Sequence, residues 1–276
     1  LPGIQSSGEG NTGFYVRGGG PDQNLILLDN AAVYNASHLF GFFSVFNADA
    51  ISNVGVHKGT MPARYGGRIS SVLDISLREG NRREYKVNGG VGLISARLTV
   101  EGPIKKDTSS FIFSARRTYI DVLTRPFAKG TSAEGSGYYF YDLNAKINHR
   151  FSEKDEVFLS AYLGRDIASF TSTDAGFGAH IPWGNAIASL RWNHLFNDQL
   201  FLNMNVSYTD YDFAFEGEQE EFSFGFNSGI EDWSYKSTLN YYPNSRHEIK
   251  GGVEYVFHEF MPTDFFARNG DTPIEF

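Results

Sequence analysis

Histidines are the first residues of this sequence to consider for chemistry, because imidazole serves both as a metal ligand and as a general base. Seven are present. None has the spacing of a metalloprotease helix, and the pair His258-Glu259 has no second histidine one turn away. We therefore expect structural or surface roles for most of them. His180, in a predicted loop, is the candidate for contact with a metal chelate.

Two further patterns could bind ions or nucleotides. Residues 8–13 satisfy G-x-G-x-x-G, but a β-like segment follows where a dinucleotide site needs a helix, and Glu9 would repel phosphate. The glycines are better explained as turn residues. Glu216, Glu218, Glu220 and Glu221 form an acidic segment, which we interpret as a solvated loop, with a cation site as the alternative.

Composition excludes several classes of protein. The chain has 276 residues, of which 41% are hydrophobic and 16% aromatic, too much apolar side chain for a disordered protein. Its net charge is −8, with no basic block, so nucleic-acid binding is not expected. It has no cysteine, which excludes disulfides and thiol catalysis. No apolar run approaches the ~18 residues of a membrane-spanning helix.

From about residue 85 onward, apolar and polar residues alternate with a period of two, which predicts strands with one apolar and one polar face. Four segments show it clearly, at 139–151, 185–196, 200–209 and 232–241. The residues predicted on the apolar face are Leu143, Ala145, Ile147, Leu190, Trp192, Leu202, Met204, Val206, Tyr235 and Leu239. Those predicted on the polar face are Asn144, Asn148, Arg191, Asn203, Asn205, Lys236 and Asn240.

The connections between these strands differ in length. Short polar turns are predicted at 105–107, 152–155, 197–199 and 243–246, and longer loops at 122–137, 168–182, 216–222 and after Met261. Short turns at one end and long loops at the other are typical of an outer-membrane β-barrel, whose apolar face would meet lipid. A large soluble antiparallel sandwich is the alternative.

The first eighty residues have a different pattern, with short apolar runs divided by glycines. We predict strands at 14–17, 25–28, 54–58 and 72–76, and a short helix capped by Asn47. The composition changes near Gly80, which predicts one domain at 1–80 and a second at 81–276.

Five segments of this first unit resemble the plug domain of TonB-dependent outer-membrane transporters. They are Leu1-Pro2-Gly3-Ile4, Tyr15-Val16-Arg17-Gly18-Gly19, Leu27-Leu28-Asp29-Asn30, the run from Asp49 to Gly59, and Ala63-Arg64-Tyr65-Gly66-Gly67-Arg68 followed by Val72-Leu73-Asp74-Ile75. Asn30 and Ser70-Ser71 stand where the family usually has glycines. The amino-acid sequence of residues 5–30 and 34–47 is similar to the form of this plug domain found in Bacteroidota.

The resemblance implies a mainly β fold: a transmembrane antiparallel β-barrel with a small α+β plug in its lumen. The family's barrel has 22 strands and about eight are predicted here, too few to enclose a plug. We therefore expect a partial chain. The missing upstream segment would carry the signal peptide and the segment that binds TonB.

For function, the resemblance implies import of a scarce ligand (siderophore, vitamin, glycan or peptide) across the Gram-negative outer membrane, driven by TonB. Its partners would be TonB, outer-membrane lipids and that ligand. A surface lipoprotein is a further candidate partner, although residues 58–68 argue against an obligate one. No catalytic residue, cofactor or metal is expected. A barrel enzyme, or a plugged barrel within a larger complex, are the rival interpretations.

The resemblance also suggests site residues. Arg17, Lys58, Arg64 and Arg68 are predicted to pair with barrel carboxylates, because unpaired buried charge is costly, and those carboxylates are expected in strands beyond this chain. The polar and aromatic segment 34–43 suits ligand contact, since aromatic rings stack on sugars and planar chelators. The residues predicted for this role are Tyr34, Asn35, His38, Phe40 and Phe42. Packing of its phenylalanines between plug and barrel is the alternative.

Overall fold

The computed structural model describes residues 4–6, 13–270 and 272–274, without the side chains of residues 4–6, Phe14 and Phe40. Most of the glycine motif at 8–13 lies outside the described residues. The described residues of the N-terminal unit form eight short strands, β1 (Ile4–Ser6), β2 (Phe14–Val16), β3 (Asn24–Leu28), β4 (Ala31–Ala32), β5 (Ser37–His38), β6 (Phe43–Ser44), β7 (Ile51–Lys58) and β8 (Ser71–Leu77). Three 3₁₀ helices lie between them, at Pro21–Gln23, Leu39–Gly41 and Ala48–Ala50.

A four-stranded sheet in the order β4-β3-β8-β7 organises this unit. Strands β3 and β8 are parallel, whereas β7 and β4 pair antiparallel with their neighbours. The short helix predicted after Asn47 is confirmed as the 3₁₀ turn Ala48–Ala50, and the Asn47 side chain accepts a hydrogen bond from the Asp49 amide at 3.1 Å. The four strands predicted from short apolar runs are β2, β3, β7 and β8.

The remaining strands form one antiparallel sheet of ten, which we call the wall. They are β9 (Lys86–Val91), β10 (Ser95–Lys105), β11 (Ser109–Thr118), β12 (Gly137–Arg150), β13 (Asp155–Ser172), β14 (Phe177–Asn197), β15 (Leu200–Gln219), β16 (Phe222–Asn244), β17 (His247–Asn269) and β18 (Thr272–Pro273). Each pairs with its neighbours in chain order, and β9 and β18 are the two edges, so the sheet is not closed. Within the described residues there is one such sheet rather than the two facing sheets of a sandwich.

Antiparallel neighbours place successive connections at alternate ends of the wall. The four turns predicted to be short, after β10, β12, β14 and β16, therefore all lie at one end. The helix α1 (Ile120–Ala128) lies in the connection between β11 and β12 at the opposite end. No helix among the described residues is long and apolar enough to span a bilayer.

The long loops predicted at 168–182 and 216–222 are wrong. Strand β13 continues to Ser172 and β14 begins at Phe177, while only residues 220 and 221 separate β15 from β16. The segment after Met261 is likewise strand as far as Asn269. Glycines and charges suggested loops here, but these residues continue the backbone hydrogen bonding of their neighbours. The strands from β13 to β17 are therefore 18 to 23 residues long, against the ~9–11 that cross a bilayer.

The alternation predicts correctly which side chains face the N-terminal unit. On β12, Asp142, Asn144, Lys146 and Asn148 are buried while the residues between them point outward. On β15, Asn205 and Ser207 are buried and Val206 is exposed. The wall thus turns a polar face toward the N-terminal unit and an apolar face away from it.

The two parts also share a hydrophobic core. Seven buried residues of the N-terminal unit pack together with Tyr162 of β13 and Ile187 of β14. The seven are Leu28, Ala31, Val33, Val45, Ala50, Ile75 and Leu77. Because a unit this small buries little apolar area alone, the wall completes its core. The four-stranded sheet ends at Leu77 and the wall begins at Lys86, on either side of the predicted boundary at Gly80.

Candidate functional site

A hairpin of the N-terminal unit, β5 and β6 with the 3₁₀ turn between them, is held against the wall by buried ionic groups. His38 of β5 is 1% exposed. Its Nδ1 lies 2.5 Å from Asp166 Oδ2 of β13, and its Nε2 lies 2.7 Å from Asp142 Oδ1 of β12. The ring also stacks on Phe140 of β12, with centroids 4.0 Å apart. Both polar edges and one face of this imidazole therefore meet the wall.

Asp142 connects the two strands of this hairpin. Besides His38, its carboxylate accepts hydrogen bonds from Tyr162 Oη at 2.9 Å and from Arg116 Nε at 2.7 Å. Arg116 in turn donates to the backbone carbonyl of Ser44, on β6, at 2.7 Å. One buried carboxylate of the wall thus holds β5 through a histidine and β6 through an arginine.

The turn of the hairpin is fixed as well. Leu39 has φ +49°, an uncommon conformation for a leucine. Its amide donates to Asp166 Oδ1 at 3.1 Å and to Tyr138 Oη at 2.7 Å. The Tyr138 hydroxyl donates to the same Asp166 oxygen. These hydrogen bonds to the wall hold the strained backbone in place.

The pKa of His38 reflects two opposing influences. Burial lowers it, because desolvation penalises the charged ring. Hydrogen bonds and charge attraction from Asp142 and Asp166 raise it, and the net direction is upward from the ordinary value. The positive ring then offsets part of the charge of two buried carboxylates.

A second ionic contact holds the four-stranded sheet. Lys146 of β12 places Nζ 2.9 Å from Asp29 Oδ2 and 3.0 Å from the Leu77 carbonyl. Asp29 Oδ1 also accepts from the Leu77 amide at 3.1 Å, and its own carbonyl accepts from Ser189 Oγ of β14 at 2.7 Å. The lysine and aspartate side chains are 4% and 7% exposed, so this ion pair is buried.

Tyr34 and Asn35 form a third contact. The Tyr34 hydroxyl donates to Asp232 of β16, and its amide donates to Asn185 Oδ1 of β14 at 3.3 Å. The Asn35 carbonyl accepts from Asn185 Nδ2 at 2.9 Å. Burial and the Asp232 carboxylate raise the pKa of the Tyr34 phenol well above its usual range, so it stays protonated and donates.

Beyond this contact the wall reverses its polarity. On β15, Asn205, Ser207 and Thr209 point inward and are buried. Continuing the same alternation, Tyr211, Phe213 and Phe215 point inward, and the outward positions change from apolar to acidic at Asp210, Asp212, Glu216 and Glu218. The pairing of β15 with β16 runs from Leu200 to Gln219 without a register shift, so the sequence and not a bulge produces the reversal.

Five inward rings cross the wall at this level, which we call the aromatic row: Tyr138, Trp183, Phe213, Phe226 and Phe265. Consecutive centroids are 6.4, 6.4, 5.8 and 5.6 Å apart. The row begins at Tyr138, which contacts the turn of the hairpin, and ends on β17. It lies beside the N-terminal unit, at the end of the wall opposite the short turns, with Trp183 buried and Phe265 exposed.

Comparison with known proteins agrees with this arrangement. Residues 1–72 match the family model described as TonB-dependent Receptor Plug Domain. Residues 1–72 therefore form a TonB-dependent receptor plug domain. We now call the N-terminal unit the plug. The wall is an open antiparallel sheet with the fold of part of a β-barrel.

Solved structures show the same fold. The chain aligns over 99% of its length with the ferric yersiniabactin uptake receptor FyuA from Yersinia pestis, at 14% identity and a TM-score of 0.58, covering 55% of that chain. It aligns equally fully with the ferric preacinetobactin receptor BauA from Acinetobacter baumannii, at 11% identity and a TM-score of 0.65, covering 45%. A third match is FpvA of P. aeruginosa bound to a heterologous pyoverdine, at 12% identity and a TM-score of 0.69, with 99% of this chain and 41% of that one covered.

The chain thus spans about half the length of these receptors. A search of curated proteins found no match.

The four cations predicted as plug-to-barrel contacts lie in different surroundings. Arg64 reaches the wall through its backbone, because its carbonyl accepts from Lys236 Nζ at 2.6 Å. Arg68 is exposed, and its Nη1 donates to the Gly67 carbonyl. Arg17 is exposed and lies over Gly59, and no carboxylate of the described residues is within ion-pair distance of it. Lys58, on β7, is half-buried. Their pairing with barrel carboxylates stays a prediction.

The residues predicted to contact the ligand also lie in different surroundings. Phe42 is 62% exposed, whereas the Phe40 side chain lies outside the described residues. Tyr34 and Asn35 meet the wall at the level of the aromatic row, and the rings of Tyr34 and Tyr211 are 6.4 Å apart. For His38 the geometry shows a contact between plug and wall, with both ring nitrogens occupied. Ligand contact by this set stays a prediction.

Sequence reasoning missed the charged residues that do join plug and wall. Asp29, Lys146, Asp142 and Asp166 are all buried. The available signal was a charged side chain at an inward position of a strand, as at Asp142 and Lys146, where water is excluded and a partner is required.

The metal and cation candidates have other surroundings. His180 lies on β14, and its Nδ1 is 3.2 Å from Ser169 Oγ. Glu216 and Glu218 lie on strand β15, not in a loop. Within the part of the chain that the structure describes, no three His, Asp or Glu side chains are grouped to hold a metal ion.

Proposed function

We propose that this protein is an outer-membrane transporter that imports a scarce ligand with energy transmitted by TonB. The observation that carries the proposal is a plug domain seated on the polar face of a barrel wall through buried ionic contacts. Such a plug closes the lumen to passive flow, and it is held by groups that a conformational change can separate. The wall does no chemistry on the ligand in this proposal.

The ligand enters, in our proposal, at the end of the wall opposite the short turns. There the strands extend past the length that lipid requires, and their inner face is aromatic. Tyr34, Asn35 and Phe42 of the plug, together with the aromatic row, are the proposed contacts, and Phe40 belongs to the same segment. Aromatic rings bind the flat faces of sugars and of planar chelators alike.

Two of the similar receptors are named for ferric yersiniabactin and ferric preacinetobactin, and the third was solved bound to a heterologous pyoverdine, which makes a siderophore the first class to test. Vitamins, glycans and peptides are the others. TonB and outer-membrane lipids are the proposed partners, a surface lipoprotein is an additional one to look for, and the proposed location is the outer membrane of a Gram-negative bacterium. The Bacteroidota origin stays a prediction.

Uptake by cells carrying the full-length receptor tests this function. Cells should accumulate one labelled ligand class, and accumulation should stop when either the receptor or TonB is deleted. Phe213→Ala should weaken ligand binding about fivefold, because stacking on one ring contributes about 1 kcal/mol. Tyr208→Ala, on the outward face of the same strand, is the control and should bind normally.

Two outcomes would contradict the proposal. One is uptake that does not change when TonB is deleted. The other is the absence of uptake for every ligand class while the receptor co-purifies with other subunits, which would support a plugged barrel within a larger complex.

A further inference from the structure

We propose that His38, Asp142 and Asp166 form a proton-bearing latch, which fastens the plug hairpin to the barrel wall while it holds its proton. This inference rests on the proposed function, in which the plug must leave the wall for transport. In this proposal, one buried cluster determines how easily the hairpin, residues 37–44, separates from the wall.

The geometry itself requires the proton. Each ring nitrogen of His38 faces a carboxylate oxygen, at 2.5 and 2.7 Å. A neutral imidazole has only one N–H, so its other nitrogen would present a lone pair to a carboxylate. Both contacts are attractive when the ring carries two protons, or when one carboxyl keeps the second proton. The cluster therefore binds one proton more than a neutral histidine beside two carboxylates would.

The charges around His38 nearly balance in the protonated state. Among the described residues, Asp142 of β12, Asp166 of β13 and Arg116 of β11 are the charged groups in contact with it or with each other. Tyr138 and Tyr162 complete the cluster as hydroxyl donors. Two negative groups thus face two positive ones, and loss of the proton leaves one negative charge uncompensated at a site that excludes water.

The latch controls a defined segment. His38 holds β5, Leu39 is held at the turn through Asp166, and Arg116 holds Ser44 of β6. Val45, which follows β6, is 2% exposed in the core shared with the wall. If the hairpin leaves the wall, Val45 becomes accessible.

The direction of the pH dependence follows from the raised pKa of His38. When a group has a higher pKa while the hairpin is bound to the wall, it stabilises the bound state fully at pH values below its pKa in the released hairpin. This stabilisation is lost as the pH rises through the pKa of the bound state. Attachment of the hairpin to the wall should therefore be strongest at mildly acidic pH and weaker at alkaline pH.

These 276 residues contain no cysteine. Once any cysteine elsewhere in the full-length receptor has been replaced by serine, one introduced thiol can report on the hairpin. We would place Val45→Cys in the full-length receptor in outer-membrane vesicles and measure its rate of maleimide labelling, corrected for thiolate formation with a free thiol. His38→Asn should raise this rate about 100-fold, since it leaves a buried carboxylate without its partner. His38→Asn combined with Asp166→Asn should be labelled more slowly than His38→Asn alone, because the remaining Asp142 and Arg116 compensate each other.

The double variant separates charge balance from packing. If His38 only fills space, the second substitution adds damage, and labelling at least as fast as in His38→Asn would overturn the latch. His194→Asn is the matched control, because His194 pairs with Asp155 on the wall at 2.7 Å in a partly exposed site. It should leave the labelling of Val45→Cys unchanged.

The pH profile needs no change at the latch. With the Val45→Cys reporter alone, the corrected rate should rise with pH from about 6 to about 9, whereas His38→Asn should remove most of that rise. A flat profile in the otherwise unchanged receptor would refute the proton's role. Labelling does not depend on ligand or on TonB, so the latch can fail while uptake succeeds, and the reverse.

Discussion

Replacement of Lys146 by methionine tests whether buried charge holds the four-stranded sheet of the plug to the wall. Methionine keeps much of the aliphatic volume and removes the ammonium group that lies 2.9 Å from Asp29 Oδ2 and 3.0 Å from the Leu77 carbonyl. Both side chains of this pair are less than a tenth exposed, so little solvent screening is expected.

Loss of one partner from a buried ion pair costs about 3–5 kcal/mol, because the other charge stays desolvated. At about 1.4 kcal/mol for each tenfold change, the lower bound predicts that the fraction of molecules with a displaced plug sheet rises roughly 100-fold. An exposed pair would contribute at most about 1 kcal/mol, a change of roughly fivefold or less.

A thiol at position 31 provides the assay. Ala31 is fully buried in the core shared with the wall, close to Asp29, and cysteine is only slightly larger. The labelling rate of Ala31→Cys in the purified full-length receptor follows the population of the displaced state. Lys146→Met should raise this rate roughly 100-fold. Lys250→Met, which breaks an ion pair with Glu248 whose side chains are nearly half exposed, is the control and should change it little.

A double substitution gives the sharper result. In Lys146→Met the Asp29 carboxylate is left without its partner, and adding Asp29→Asn removes that unpaired charge. Asparagine also tolerates the φ of +47° found at position 29. Its carbonyl oxygen can still accept from the Leu77 amide. The double variant should therefore be labelled more slowly than Lys146→Met alone. If Lys146→Met itself is labelled like the unchanged protein, the reasoning from buried charge is refuted.

Two more substitutions test the wall. Leu202→Arg should reduce outer-membrane abundance, since a charge on the lipid face costs about 2–4 kcal/mol at the midplane, whereas Asn203→Arg on the inward face should not; equal abundance in a membrane-insertion assay would contradict the assigned faces. Gly164→Ala should lower the melting temperature of the plug, because its Cβ would come 1.9 Å from the buried Tyr162 hydroxyl and overpacking of this kind costs about 1–3 kcal/mol. Gly251→Ala, with nothing within 4 Å of its Cβ, is the comparison, and equal melting temperatures would show that Tyr162 moves aside freely.

The wall was largely predictable because, in the proposed outer-membrane location, a bilayer imposes a strict alternation. Leu202, Met204 and Val206 are apolar and Asn203 and Asn205 are polar for one physical reason, the difference between lipid on one side and a polar lumen on the other. The same reasoning failed beyond the segments that are proposed to cross the membrane. There the outward positions become acidic and the inward ones aromatic, so Glu216 and Glu218 suggested a loop although they continue β15.

The contact between plug and wall was less predictable, because it joins distant residues. His38 lies 104 residues from Asp142 and 128 from Asp166 along the chain. The alternation of inward and outward side chains on β12 does not indicate which carboxylate pairs with which base, and neither does the composition of the hairpin. The sequence did single out the segment 34–43, but it could not distinguish a side chain aimed at a ligand from one aimed at the wall.

The polarity reversal along β15 has a consequence for assembly. Slippage of a strand by one residue exchanges its two faces. Before the reversal on this strand, a slip would turn Asn203 and Asn205 toward the lipid face. After the reversal, it would turn Asp210 and Asp212 toward the lumen and Phe213 toward water. Each half of the strand therefore penalises the same error independently. In the proposed location, correct strand register is thus specified twice, once by the membrane and once by the aqueous region above it.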